Sequence, residues 1–223
     1  MNAENLYGPK PYRGFLFDMD GTLLTSIIAA ERVWGQWAAR HGLDEAAFLP
    51  TIHGKRTCET IRELNLPGID PQQEADWITA QELKDTEGVE AIAGVRKFIE
   101  SLPRHAWAVV TSAPRRLALR RIEVAGLPLP EILIAAEDVK RGKPAPDCFL
   151  LGAGKLGVRI SDCLIFEDAP AGIQAAEASG ADVVVIGATH ETPMQTCHKI
   201  LMHYRDIAID GNDQDGWRVL HHG

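Results

Sequence analysis

Hydrophobic and polar positions change rhythm along this chain, and each rhythm predicts a different kind of element. Residues 12 to 17 are predicted as the first strand, whose apolar run Phe15, Leu16 and Phe17 stops at Asp18, the pattern of a buried strand. From Ser26 to His41, apolar residues Ile27, Ala30, Val33, Trp34, Trp37 and Ala38 recur at helical spacing, and Gly42 supplies a stop. The two tryptophans are expected to pack within a small helical unit. Residues 45 to 87 hold no convincing strand; helical patterns over 57–64 and 71–84 flank the breaker L-P-G-I-D-P. Gly94 opens a further helix over 95–102, and strand and helix then alternate. Strands are predicted over 106–110, 132–135, 163–166 and 183–186, with helices over 114–125, 144–156 and 171–179. Residues 207–209 and 217–220 suggest a terminal strand or edge pair around G-N-D-Q-D-G. The whole predicts an α/β fold with a mostly parallel sheet between helical layers, interrupted early by a helical insert.

With 223 residues and 45% hydrophobic content, the chain can bury a core domain plus such an insert. The expected division is a core from 12–25 and 94–223 and an insert over 26–93. The formal charge of -8, from 31 acidic and 23 basic residues, argues against a nucleic-acid backbone as partner. It leaves room for an anionic substrate, because a local lysine and a bound metal reverse the sign inside a cleft. Cys58, Cys148, Cys163 and Cys197 have no close pairing and read as reduced thiols. No stretch resembles a secretion signal or a membrane span, so a soluble cytoplasmic protein without a membrane partner is expected. A monomer is expected, with a dimer as the alternative.

Open parallel sheets collect functional residues at the carboxyl ends of their strands. Here Asp18 and Asp20 end the first strand, Thr111 and Ser112 the second, and Glu167 and Asp168 close C-L-I-F; Lys143 sits in a loop before a helix. Aspartates one residue apart repel unless a cation or a shared chemical task holds them. One such task has the first carboxylate attack phosphorus, the second handle the proton on the alcohol side, and Mg2+ neutralise the charge. Gly21 gives the permissive backbone for the sharp exit from the strand.

D-M-D-G-T-L at 18–23, V-V-T-S at 109–112, Lys143 in G-K-P and E-D-A-P-A-G at 167–172 together resemble the motifs of the haloacid dehalogenase (HAD) superfamily, in its phosphatase branch. That resemblance implies a three-layer Rossmann-type core with a small α-helical cap of the C1 type. R-H-G-L, I-H-G-K-R, A-G-L-P and K-R-G-K-P-A-P-D are further similar to sugar phosphatases, including the glycerol-phosphatase and 2-deoxyglucose-6-phosphatase type. The implied activity is Mg2+-dependent hydrolysis of small sugar or polyol phosphates, hexose phosphates favoured, through an aspartyl-phosphate. A phosphomutase of the beta-phosphoglucomutase type is the alternative, and a non-enzymatic sugar-phosphate sensor stands behind it.

The resemblance also implies roles. Asp18 is the nucleophile; Asp20 is the acid and base, and its main-chain carbonyl is a metal ligand. Thr111 holds a phosphoryl oxygen, with the backbone at Ser112 and Gly21 assisting, although either hydroxyl can instead cap the following helix. Lys143 offsets phosphoryl charge. Asp18 and Asp168 ligate Mg2+, with Glu167 direct or through a water. In the cap, Lys55 is the leading candidate for a sugar or phosphate contact and His53 the second, while Arg56 is expected to pair with Glu59 or Glu63. Lys140 and Arg141 are expected in solvent. Thr25 stands where the family frequently has aspartate, Ser26 remains as a helix cap, and crossings near Thr25 and Gly94 are the expected hinges.

Overall fold

Strand β1 (Gly14–Phe17) buries all four of its residues, and its alternation divides the core in two. Phe15 and Phe17 join one apolar cluster, while Leu16 joins the other. The same division runs through β2 (Trp107–Val110), β3 (Leu133–Ile134), β4 (Cys163–Glu167) and β5 (Asp182–Ile186), and the sheet ends on β6 (Lys199–Leu201). The computed structural model describes residues 4–190, 192 and 194–222. All five pairings in this sheet are parallel, in the order β3-β2-β1-β4-β5-β6. The strand order reverses at β1, so the carboxyl ends of β1, β2 and β4 stand side by side at the switch point.

Helices α1 (Ile27–Arg40), α2 (Thr57–Glu63), α3 (Pro71–Glu82) and α4 (Val95–Ser101) lie between β1 and β2 in sequence. Helix α5 (Arg115–Val124) follows β2, α6 (Asp147–Leu156) follows β3, and α7 (Pro170–Ser179) follows β4. One face of the sheet packs on Val95, Phe98 and Ile99 of α4 and on Ala118 and Ile122 of α5. The other packs on Phe149 and Ala153 of α6 and Ala175 and Ala176 of α7. The fold is therefore the expected three-layer α/β core.

Two elements differ from the sequence expectation. The terminal pair forms around G-N-D-Q-D-G as expected, β7 (Ile207–Asn212) with β8 (Gly216–His221), but it stands apart from the main sheet, joined by residues 4–5 into its own three-stranded antiparallel sheet. Trp217 and Val219 anchor it on the α4 side of the core. The sixth strand of the main sheet is instead β6, which the apolar pattern misses because only Leu201 of its three residues is buried.

The accessory helical region has its own apolar cluster, in which Val33, Trp34, Trp37 and Ala38 of α1 meet Phe48, Ile61, Ala75 and Ile78. Helix α1 ends at Arg40, and Gly42 turns the chain with φ +67°. Asp70 caps α3 by accepting from the N–H groups of Gln72 and Gln73, with Pro71 at the first helical position. Leu24–Thr25 pairs antiparallel with Glu90–Ala91, so a two-rung ribbon joins the two crossings. Strands of two residues carry no periodicity, and the ribbon is invisible in the sequence. Trp37 has no exposed surface, and its indole N–H donates to Glu74 Oε2 at 2.7 Å. Trp37→Ala is expected to cost about 3–5 kcal/mol, read as a lowered denaturant midpoint. A loss below about 1 kcal/mol would contradict this packing.

All four cysteines are unpaired. No helix among the described residues is long and apolar enough to cross a membrane.

Candidate active site

β1 and β4 are adjacent and parallel, with Phe17 in register with Phe166, so the residues that follow them emerge together. Asp18, Glu167 and Asp168 each bring a carboxylate oxygen into one group whose members lie within 4.8 Å of one another, all three side chains buried. Lys143 enters from the loop before α6 with its side chain 1% exposed. Its ammonium donates to Asp18 Oδ1 at 2.5 Å, Glu167 Oε1 at 2.7 Å and the Val110 carbonyl at 3.3 Å. Glu167 Oε2 accepts from the N–H groups of Asp168 and Ala169. Both oxygens of Glu167 are thus engaged within the protein. Asp168 Oδ1 accepts from the Thr22 hydroxyl at 3.1 Å.

Three carboxylates facing one ammonium leave two negative charges uncompensated. Burial pushes the Asp18 carboxyl up to about 8; Lys143 pulls it down, while Glu167 and Asp20 add repulsion. Asp168 is pushed up by burial, Glu167 and Asp18. Burial opposes the charge on Lys143, but Asp18 and Glu167 outweigh it and hold the lysine up. Burial is the largest cause of the two aspartate shifts, and the excess of negative over positive charge adds to them and outweighs burial at Lys143. An all-oxygen donor set with that excess fits a hard divalent cation such as Mg2+. The glycines fit the same crowding. A methyl at Gly21, where φ is +88°, would fall 1.9 Å from Asp168 Oδ2, and one at Gly172 would fall 1.5 Å from Glu167 Oε1.

Thr111 Oγ1 accepts from the Ala113 N–H at 3.0 Å, and Ser112 Oγ donates to the Gly54 carbonyl at 2.9 Å. Neither hydroxyl caps α5, whose cap residue is Pro114. Ser26 likewise gives α1 no side-chain cap; its hydroxyl donates to Asp20 Oδ1 at 2.6 Å. The loop carrying His53 to Arg56 is docked on the core. Arg56 pairs with Glu59, as the sequence suggests, and also donates to the carbonyls of Val139 and Lys140. Lys55 Nζ lies 2.8 Å from Glu63, and His53 Nε2 lies 3.4 Å from Glu31. Arg141 pairs with Asp147 at the surface.

Asp18, Asp20, Ser26, His53, Lys55, Thr111, Ser112 and Asp168 all line one cleft of about 80 Å³. Sequence reasoning missed two of its charged residues. Arg121 is buried, donating to Asp20 Oδ1 at 3.0 Å and to Glu82 Oε1 at 3.1 Å. Each sits on the apolar face of its helix, Arg121 with Leu117 and Ala118, Glu82 with Ala75 and Ile78. A charge at a core position of the helical repeat was the signal available. His190, also missed, lies in the loop beyond β5 with Nε2 3.0 Å from the Asp168 carbonyl; nothing in its sequence surroundings marks it.

A family model for haloacid dehalogenase-like hydrolases matches residues 12–180. The chain belongs to this family. It is 39% identical over 195 residues to hexitol phosphatase A of Escherichia coli K12, covering 86% of this chain and 90% of that protein. It is 30% identical to glycerol-1-phosphate phosphohydrolase 2 of Saccharomyces cerevisiae, covering 88% and 84%. The fold matches the crystal structure of a HAD hydrolase, family IA, variant 3, from Entamoeba histolytica with a TM-score of 0.75 and 25% identity, covering 88% of this chain and 95% of that one. Within the family the chain is thus a hydrolase related to sugar and polyol phosphatases.

Proposed function

We propose that this hydrolase is a Mg2+-dependent phosphatase of small sugar or polyol phosphates, hexose phosphates favoured, working through an aspartyl-phosphate on Asp18. The observation that carries the reading is the buried grouping of Asp18, Glu167, Asp168 and Lys143 beneath a small cleft, with two formal negative charges left to neutralise. The names of the two relatives above, a hexitol phosphatase and a glycerol-1-phosphate phosphohydrolase, support the substrate class.

Asp18 and Asp168, with the main-chain carbonyl of Asp20, would hold the metal. Glu167, whose oxygens serve Lys143 and two N–H groups, would contribute charge without direct ligation. Bound there, Mg2+ supplies countercharge to the phosphoryl oxygens. Lys143 fixes Asp18 in place and adds a positive charge beside the phosphoryl group. The Thr111 hydroxyl and the N–H groups around Gly21 and Ser112 orient that group. Asp18 attacks phosphorus; Asp20 gives a proton to the departing sugar oxygen, then takes one from the water that hydrolyses the acyl phosphate. Ser26 and Arg121 both bind Oδ1 of Asp20, which leaves Oδ2 for that proton. The accessory helices, acting as a cap that hinges at the two crossings, keep bulk water out. His53 and Lys55 line the cleft where hydroxyls of the leaving alcohol would lie.

The test is phosphate release from a panel of hexose, hexitol and glycerol phosphates with and without Mg2+, and without any bisphosphate activator. Release across several members supports the phosphatase; a requirement for the activator points to a mutase, and binding without release to a sensor. Asp20→Asn is expected to lower turnover by about 10²–10⁴-fold with a much smaller change in substrate binding. Unchanged turnover in that variant would remove Asp20 from the proton transfer.

A further inference from the structure

Every basic side chain lining the cleft already faces a carboxylate. Arg121 holds Asp20 and Glu82, Lys55 lies against Glu63, and His53 lies beside Glu31. Lys143, nearer the nucleophile, is held by Asp18 and Glu167. A leaving group that brought a second anion would find no free cation among the described lining residues.

Glu82 is the last residue of α3, in the accessory region, and its side chain is 5% exposed. It nevertheless lines the cleft alongside Asp18, with apolar Trp34, Ile52 and Leu117 completing the wall. Its Oε1 is taken by Arg121, whereas its Oε2 accepts no hydrogen bond from any described residue and keeps some accessible surface. Burial pushes this carboxyl up and Arg121 only partly offsets it, so one more donor at the open oxygen would stabilise it.

We infer that Glu82 is a specificity-determining residue. Its open oxygen receives a hydroxyl of the leaving alcohol, and with Asp20 on the same arginine it turns away leaving groups that carry a second negative charge. This rests on the phosphatase reading above and narrows it to neutral polyhydroxy alcohols. A neutral alcohol fills the open acceptor and lays its carbons on the apolar wall. A carboxylate in the same place meets two acids that already share the one guanidinium.

Matched substrates that exchange CH2OH for a carboxylate isolate the effect. Glycerol 1-phosphate is compared with 3-phosphoglycerate, and 2-hydroxyethyl phosphate with 2-phosphoglycolate, each as kcat/KM at saturating Mg2+. The wild-type protein is expected to favour the neutral member of each pair by about a hundredfold or more. Glu82→Gln, checked for folding by circular dichroism, is expected to narrow that ratio by about tenfold, mostly through KM. Glu82→Asp, which keeps the charge but withdraws the oxygen, is expected to raise KM for glycerol 1-phosphate and still reject 3-phosphoglycerate. A wild-type ratio near one overturns the inference and leaves the phosphatase reading standing. A folded Glu82→Gln protein with an unchanged ratio overturns the role of Glu82. No phosphate from these four or from the hexose and hexitol phosphates overturns the phosphatase reading, and this inference with it. Release from the hexose and hexitol phosphates alone overturns the inference and leaves that reading standing.

Discussion

Asp18→Asn is expected to abolish phosphate release, by about 10⁵-fold or more, while raising the melting temperature of the metal-free protein. The first half follows from losing the attacking oxygen, since removing a nucleophile costs more than removing any group that assists it. The second half follows from charge. Asp18 is buried next to Glu167 and near Asp20, and the balance of burial, repulsion and the Lys143 pair still disfavours its ionised form. A neutral amide of the same shape removes that penalty, so function and stability move in opposite directions at this position. Turnover under saturating substrate and a calorimetric melt check the two halves. Residual turnover within about a hundredfold of wild type would take the nucleophile away from Asp18.

Removing divalent cations is expected to bring turnover to background, and adding Mg2+ back is expected to stabilise the fold increasingly as pH rises. In the unfolded chain Asp18 loses its proton near the ordinary value of 3.8; in the metal-free folded protein it does so at about 8. Between those values the folded state binds more protons, so Asp18 makes the metal-free protein less stable as pH increases. Asp168 is shifted in the same direction. A cation displaces these protons and relieves the repulsion, which makes its stabilising effect small in acid and large in mild alkali. At Mg2+ about a hundred times its Kd, the gain of about 2.7 kcal/mol corresponds to roughly 5–10 °C in a protein of this size. A thermal shift series at several pH values measures it. A Mg2+ shift that is absent, or that shrinks as pH rises, contradicts the acidic grouping as the metal site.

The core architecture was legible because its strands are buried on both faces and bounded by helices with clear periodicity. Phe15 to Phe17 and Cys163 to Phe166 could be little else in a chain of this composition. What escaped was structure supported by very few residues, such as the ribbon at Leu24–Thr25 and the edge strand Lys199–Leu201. The polar strand ends were legible for a related reason: the switch in strand order gathers them whatever their separation in sequence. The direction of each polar bond was not legible. Ser26 and Ser112 precede helices and look like caps, but tertiary acceptors at Asp20 and the Gly54 carbonyl claim their protons. Arg121 and Glu82 escaped because each looks ordinary within its own helix. Only the approach of the end of α3 to Arg121 of α5 turns two separate charges into one buried pair.

The ribbon has a consequence for how such a chain can diversify. Two short rungs, Leu24 with Ala91 and Thr25 with Glu90, carry both connections to a helical unit that folds around its own tryptophan-centred interior. A graft cut at those rungs would transplant the roof while leaving the sheet and its acids untouched. Chimeras built there should inherit the donor's substrate preference and retain the recipient's chemistry.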